Sequence, residues 1–174
     1  MPLRPARCYT ERKKPAYTRK EYIDGIPPPK ISKFTMGNSR GRYSYAIRLI
    51  AEKEILIRHN ALEAARTAAH RYLSKFIGED RYFFVIRKYP HQVIRENKML
   101  AFAGADRLQE GMRRAFGKPI GTGAYVKPGD VIMDIYVSEK SHIDIALEAM
   151  RRARAKLPES YRIVIEELNS RDSR

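Results

Sequence analysis

Apolar residues recur at every second position, or in short runs, at several places in the chain. Alternation at Tyr43, Tyr45, Ile47 and Leu49 predicts one strand, and residues 54–57 can begin another. Short apolar runs predict further strands at residues 82–86, 131–137 and 161–165. The chain therefore carries enough strands to form a sheet.

Two stretches have apolar residues spaced three and four apart, which predicts amphipathic helices at residues 61–77 and after residue 141. A pair resembling a capping box precedes each helix: Asn60 with Glu63, and Ser141 with Asp144. The apolar stripes are Leu62, Ala65, Ala69, Tyr72, Leu73 and Phe76, and then Ile143, Ala146, Leu147, Met150, Ala153 and Leu157.

The order of these elements predicts a two-layer α+β domain at about residues 43–168. In this arrangement two helices cover one face of a mostly antiparallel sheet. A short polar tail, residues 169–174, follows the domain.

The composition indicates a folded protein that binds a polyanion. The chain has 174 residues with 43% hydrophobic side chains, so a core can form, and its formal net charge is +15. Such a charge repels itself unless a partner neutralises it. Nucleic acid is the usual partner, and an anionic membrane or an acidic protein are the alternatives.

Residues 1–42 hold more than half of this charge, with eleven basic and three acidic side chains. They also hold six of the ten prolines and show no periodicity, which predicts an extended basic arm. The prolines exclude an amphipathic membrane helix. A disordered, solvated tail is the alternative to an RNA-binding arm.

Aromatic residues spaced among these cations favour RNA, because rings stack on bases while Arg and Lys contact phosphates. The rings are Tyr9, Tyr17, Tyr22 and Phe34. The cations predicted to bind RNA are Arg4, Arg7, Arg12, Lys13, Lys14, Arg19, Lys30, Lys33, Arg40 and Arg42.

Residues 99–129 contain six of the ten glycines and are predicted to form a long loop. Glycine lets the backbone approach a ligand closely, and the cations predict contact with RNA. A mobile, solvated loop is the alternative. The cations in and beside this loop are Lys98, Arg107, Arg113, Arg114, Lys118 and Lys127.

The glycine-rich region does not fit a nucleotide-binding loop. Five residues separate Gly111 from Gly117, where the phosphate loop of NTPases needs four, and Pro119 replaces its Ser or Thr. Gly121 and Gly123 lack the third glycine of a dinucleotide loop. The sequence therefore predicts no cofactor at this segment.

The chain shows no recognisable catalytic, metal-binding or membrane-spanning pattern, so we expect neither an enzyme nor a membrane protein. Its four histidines are far apart in sequence, and no general base accompanies Cys8. Its longest apolar run, residues 82–86, is far too short to cross a bilayer. A single cysteine and no visible signal peptide suit a cytoplasmic location.

Residues 103–126 closely resemble the ribosomal protein family called ten-e in archaea and eukaryotes and sixteen in bacteria. The segment reads Ala-Gly-Ala-Asp-Arg-Leu-Gln-Glu-Gly-Met-Arg-Arg-Ala-Phe-Gly-Lys-Pro-Ile-Gly-Thr-Gly-Ala-Tyr-Val. Residues 4–9, 26–29 and 155–158 resemble the family too, so the resemblance covers essentially the whole chain. The short tail after Leu168 resembles archaeal members.

This resemblance implies a hammerhead-type α+β fold and a structural role in the large ribosomal subunit, without catalytic residues. The implied partners are large-subunit rRNA, tRNA and neighbouring ribosomal proteins, and the implied place is beside the cleft where tRNAs enter. Residues 118–127 are expected against rRNA near the aminoacyl-tRNA. A second segment, residues 104–114, is expected to reach toward the peptidyl-transferase centre and the P-site tRNA. Its tRNA-proximal residues are Gly104, Arg107, Gly111, Arg113 and Arg114. A free-standing RNA-binding adaptor or chaperone acting off the ribosome is the alternative function.

Overall fold

A computed structural model of the chain describes residues 4–9, 18–97 and 116–168, and within them the chain forms two helices and two antiparallel sheets. The α+β class is therefore confirmed. In chain order the elements are β1 (Thr35–Gly37), β2 (Tyr45–Ala51), β3 (Ile55–Arg58), α1 (His59–Phe76), β4 (Tyr82–Ile86), β5 (Gln92–Glu96), β6 (Lys118–Val126), β7 (Val131–Val137), α2 (Ile143–Arg154) and β8 (Tyr161–Glu167).

The larger sheet has five strands in the order β1-β4-β7-β2-β8, and each neighbouring pair is antiparallel. Side chains alternate between its two faces, as a pleated strand requires. Ile47 and Ile135 are register partners on the inner face and are fully buried, whereas the next pair, Arg48 and Asp134, points to the outer face.

The smaller sheet has three strands in the order β3-β6-β5, also antiparallel. Buried residues of β3 and β6 join the same hydrophobic core as the larger sheet, for example Ile57 and its register partner Ala124. The core thus lies between the two sheets and the two helices.

Both helices bury the central part of the apolar stripes that their spacing predicts, whereas Phe76 at the end of the first stripe is exposed. The buried residues of α1 are Leu62, Ala65, Ala69 and Leu73, and those of α2 are Ala146, Ala149, Met150 and Ala153. The helices pack on each other, while α2 also lies on β2 and α1 on β3 and β6. Within the described residues, neither helix has the length and apolar character that a membrane crossing requires.

The predicted capping boxes are wrong. Strand β3 runs directly into α1, so Arg58 takes the cap position and Asn60 lies inside the first turn. At the second helix, Ser141 belongs to a 3-10 turn and donates its hydroxyl to Glu139 at 3.1 Å, while α2 begins at Ile143. In both places the element before the helix, a strand or a 3-10 turn, determines where the helix begins, and the predicted capping residue does not.

The prediction of one loop over residues 99–129 is also wrong, because β6 occupies its second half. Two of its glycines make room for neighbours: a Cβ at Gly121 would lie 3.1 Å from Nε2 of His59, and one at Gly123 3.1 Å from the carbonyl oxygen of Ile57. The sheet contacts therefore account for these glycines. Strand β5 lies in a polar stretch for which we predicted no strand.

Part of the predicted basic arm packs into the core. Ile31 is 1% exposed and Met36 is 7% exposed, and β1 pairs with β4 at the sheet edge. A strand of three residues is too short to show a sequence period. The division of the chain at residue 42 stays a prediction, whereas residues 31–37 belong structurally to the folded unit.

Replacing Gly37 by alanine should destabilise the fold strongly. Its φ is 82°, and an added Cβ would clash with the backbone carbonyl oxygen of Tyr82, which already accepts the N–H of Asn38 at 2.9 Å. We expect the free energy of unfolding to fall by about 3 kcal/mol or more, measured by urea denaturation.

Gly129 supplies the matched control, because its φ is 87° but an added Cβ would meet nothing within 4 Å. Gly129→Ala should cost only the backbone strain, about 1 kcal/mol. Equal losses in the two variants would contradict the steric explanation.

Candidate nucleic-acid interface

The N-terminal segment, residues 4–9, docks against the smaller sheet through Glu96. Nε of Arg4 lies 2.7 Å from one carboxylate oxygen of Glu96, and the Tyr9 hydroxyl donates to the other at 3.0 Å. Arg58 adds a hydrogen bond of 2.9 Å to the carbonyl oxygen of Arg4 and lies 5.5 Å from the centre of the Tyr9 ring. Burial and the Glu96 carboxylate raise the pKa of Tyr9 to about 12. Arg4 therefore anchors the segment as well as carrying charge.

The other described cations of the predicted arm lie at or near the surface rather than in one patch. Arg7, Arg19, Lys30, Lys33, Arg40 and Arg42 are all exposed. Lys20 contacts the Tyr89 ring, with 5.8 Å between its Nζ and the ring centre. Arg12, Lys13 and Lys14 lie outside the described residues.

Lys118 and Lys127 are not brought together. They bracket β6, and because a strand advances about 3.3 Å per residue they lie roughly 30 Å apart. Lys118 is the register partner of Glu96, whereas the backbone N–H of Lys127 donates to Asp130 at 2.9 Å. The two lysines therefore have different neighbours within the fold. Gly104, Arg107, Gly111, Arg113 and Arg114 lie outside the described residues.

His59 links the predicted arm to both α1 and β6. Its Nδ1 accepts the backbone N–H of Lys30 at 3.0 Å, and its ring lies over Gly121. Burial, reinforced by the charges of Lys30 and Arg58, holds the pKa of His59 below its usual value. The neutral ring is therefore the form that holds residue 30 in place.

Three aromatic rings cluster on the outer face of the five-stranded sheet. The centre of the Phe83 ring lies 6.4 Å from that of Tyr43 and 5.9 Å from that of Tyr136, and the two tyrosine rings are 6.3 Å apart. All three side chains are half-buried. We call Tyr43, Phe83 and Tyr136 the aromatic cluster.

An ion-pair network fixes one edge of this cluster. Nε of Arg87 donates to buried Asp134 at 2.6 Å, and another nitrogen of Arg87 donates to the Tyr136 hydroxyl at 2.6 Å. That hydroxyl lies 3.2 Å from the same Asp134 oxygen. Arg48 pairs with Glu166 at 2.8 Å. The buried carboxylate is thus held by cations, as burial of charge requires.

The cations near the end of α2 divide into two groups. Arg151 and Arg152 both lie near Glu148, and Arg152 also packs 4.1 Å from the centre of the Tyr72 ring on α1. Arg151 and Arg152 are therefore engaged in contacts within the fold. Arg154 and Lys156 are exposed and extend the basic surface.

The described histidines lie apart in space as well as in sequence. The His70 ring shares a hydrogen bond of 2.8 Å with the Tyr82 hydroxyl, so it binds a core residue rather than lying free on the surface. His91 packs on Tyr89, and Nε2 of His142 lies 3.7 Å from Glu139. Over residues 4–9, 18–97 and 116–168, no group of three or more His, Cys, Asp or Glu side chains could hold a metal ion. Cys8 is exposed.

Exposed cations, some of them beside aromatic rings, are the groups through which proteins contact nucleic acid. The sequence profile of the family described as ribosomal protein L16p/L10e matches residues 12–164. The chain belongs to this family.

Three relatives show how far the likeness to the L16p/L10e family extends. A protein of Hyperthermus butylicus is 59% identical over 168 residues, which cover 94% of this chain and 93% of that protein. One of Staphylothermus marinus is 60% identical over 168 residues, covering 97% and 96%. One of Sulfolobus acidocaldarius is 57% identical over 171 residues, covering 97% of each. All three are named large ribosomal subunit protein uL16.

The sequence pattern did not lead us to the outer face of the larger sheet in this L16p/L10e protein. Asp134 and Tyr136 interrupt an apolar strand at alternate positions, and Arg48 separates Ile47 from Leu49. Polar residues at period two mark the face opposite the core. That signal is present in the sequence, but it does not say which strands meet.

Stability should fall as the pH drops below about 6.5, because the unfolded His59 then binds a proton that the folded ring resists. Protonation would also remove the acceptor for the Lys30 N–H. His59→Asn keeps an acceptor oxygen but does not titrate, so we expect its unfolding free energy to depend less on pH. Urea denaturation at about pH 7.5 and about pH 5.0 measures the difference. Identical pH profiles for the two proteins would contradict this role of His59.

Proposed function

We propose that this chain holds rRNA in the large ribosomal subunit and helps to position tRNA near the peptidyl-transferase centre. The observation that carries the proposal is identity of 57–60% over nearly the full length to proteins named as large-subunit components. The chain is a structural constituent of the large ribosomal subunit and not an enzyme. It works in the cytoplasm, on the ribosome.

The distribution of charge supports contact with rRNA on more than one side. Arg40 and Arg42 lie in the β1–β2 connection, and Lys118 lies at one end of β6. Arg154 is the last residue of α2, and Lys156 follows the helix. Each is exposed and able to meet a phosphate. A protein with one binding face would concentrate these cations, whereas a wedge between rRNA helices needs them dispersed.

The basic arm and the hammerhead-type fold belong to the same proposal. Anchoring of residues 4–9 at Glu96 and packing of Ile31 support an arm that is fixed to the domain at two places. The remaining cations of residues 1–42 then neutralise phosphates along the path between rRNA helices. Two sheets with a pair of packed helices support the hammerhead-type arrangement.

Sedimentation tests the proposed function directly. An epitope-tagged chain expressed in an archaeal cell should sediment with large subunits on a sucrose gradient and remain with them at low salt. Its absence from large subunits would contradict the proposal and favour an adaptor or chaperone acting off the ribosome.

The tRNA role is proposed for residues 104–114, and the paired cations Arg113 and Arg114 carry it. Replacing both with alanine should leave the amount of assembled large subunit near normal but reduce translation by about tenfold, because removing a cation that neutralises a tRNA phosphate weakens tRNA binding. Gradient profiles and an in vitro translation assay measure the two effects. If the variant lowers the amount of assembled large subunit, and the subunits that do assemble translate normally, this role is contradicted.

A further inference from the structure

The outer face of the five-stranded sheet has a combination of features that the core does not need. It carries the aromatic cluster, and the exposed residues Arg40 and Arg42 lie on the connection that leads into Tyr43. We propose that this face binds an unpaired nucleotide of rRNA, whose base stacks on the aromatic cluster while Arg40 and Arg42 contact its phosphates. This inference rests on the proposed function and names one binding surface for it.

The rings are held in fixed orientations before any ligand arrives. Phe83 and Tyr136 are register partners on β4 and β7, so their backbone positions are set by the sheet. The Tyr136 hydroxyl is held by Arg87 and Asp134, and the Tyr43 hydroxyl donates to the carbonyl oxygen of Asn38. A preorganised ring loses little conformational entropy when a base stacks on it. The cluster therefore meets the main requirement for a stacking site.

The connection from β1 to β2 is shaped around Tyr43. A Cβ at Gly41 would lie 2.6 Å from the Tyr43 hydroxyl oxygen and 2.7 Å from the adjacent ring carbon, so only glycine lets the ring fold back here. Oγ of Ser138 donates to the carbonyl oxygen of Arg42 at 2.8 Å, and the backbone N–H of Arg40 donates to Asn38 at 3.0 Å. These contacts fix the backbone of the connection, on which both arginine side chains are exposed one and three residues before Tyr43.

Charge favours RNA over a protein as the occupant. The acids on this face are already paired, Asp134 with Arg87 and Glu166 with Arg48. Arginines outnumber acids on the face and its connection: Arg40, Arg42, Arg48, Arg87 and Arg162 against Asp134 and Glu166. Rings with arginines beside them are the pattern by which proteins bind single-stranded nucleotides, through stacking and phosphate contacts.

The arginines and the aromatic rings would contact different parts of the nucleotide. Arg40 and Arg42 neutralise the backbone without reading sequence, and the rings accept any base because every base has a π-face. The face is therefore expected to bind a nucleotide that the rRNA fold already holds unpaired.

Photocrosslinking within assembled large subunits tests the inference. Subunits that contain the tagged chain are irradiated, digested with ribonuclease and protease, and analysed by mass spectrometry for peptides carrying a nucleotide. We expect a crosslink at Tyr43, Phe83 or Tyr136, and chemical probing should find the same nucleotide protected in these subunits.

Matched variants separate stacking from folding. Tyr43→Leu with Phe83→Leu removes two rings but keeps apolar side chains, and the protected nucleotide should become about fivefold or more reactive. Tyr43→Phe keeps the ring and should keep the protection. Phe76→Leu changes an exposed ring on α1, 52% exposed, and should leave the protection unchanged. Thermal melting of the purified chains identifies any variant that has lost its fold. If the double leucine variant does not fold, the protection measured with Tyr43→Phe and the wild-type crosslink decide whether the rings bind the nucleotide.

The outcomes distinguish failure of the proposed nucleotide-binding face from failure of the proposed ribosomal function. A chain present in large subunits whose aromatic cluster crosslinks to another protein, or gives no crosslink to rRNA, overturns this inference and leaves the proposed function intact. A chain absent from large subunits overturns the proposed function itself.

Discussion

The alternation of side chains from Met133 to Val137 in β7 is the constraint on which both the core and the outer face depend. β7 lies at the centre of the five-stranded sheet, between β4 and β2. Met133, Ile135 and Val137 are buried in the core, while Asp134 and Tyr136 point away from it. A shift of one residue in the register would place Asp134 among apolar side chains. The ion pair with Arg87 and the hydrophobic core therefore specify the same register.

The acids of this chain are used to fix cations where the fold needs them. Glu96 holds Arg4 and Tyr9, Glu148 lies between Arg151 and Arg152, and Asp130 binds Lys88 at 2.6 Å. Within the described residues, cations left outside these pairs, such as Arg40, Arg42, Arg154 and Lys156, are exposed. The excess of basic over acidic side chains therefore attracts a polyanion even though part of it is paired within the fold.

Sequence periodicity predicted the elements with one buried face and enough residues to show it. The central parts of the α1 and α2 stripes, and the runs at β4 and β7, were confirmed because burial imposes their spacing, whereas Phe76 is exposed and Leu157 lies beyond the end of α2. β1 has only three residues, and β5 alternates imperfectly because Val93 and Ile94 are both buried beside a register shift. Glycines obscured β6, since their role is close packing against His59 and β3 rather than a turn.

The candidate site was predicted less completely than the fold. Composition indicated a polyanion and placed cations in residues 1–42, and the resemblance of residues 103–126 indicated the family. The aromatic cluster joins Tyr43, Phe83 and Tyr136, which come from three distant parts of the chain. Only the order of strands in the sheet brings them together, and the local spacing of apolar residues does not predict that order.

The direct passage from β3 into α1 has a mechanical consequence. No loop residue lies between Arg58, the last residue of the strand, and His59, the first of the helix. A junction without loop residues leaves few backbone dihedral angles to absorb a displacement, so β3 and α1 are closely coupled. Because Arg58 also donates to the carbonyl oxygen of Arg4, the N-terminal segment, β3 and the start of α1 are joined at a single residue.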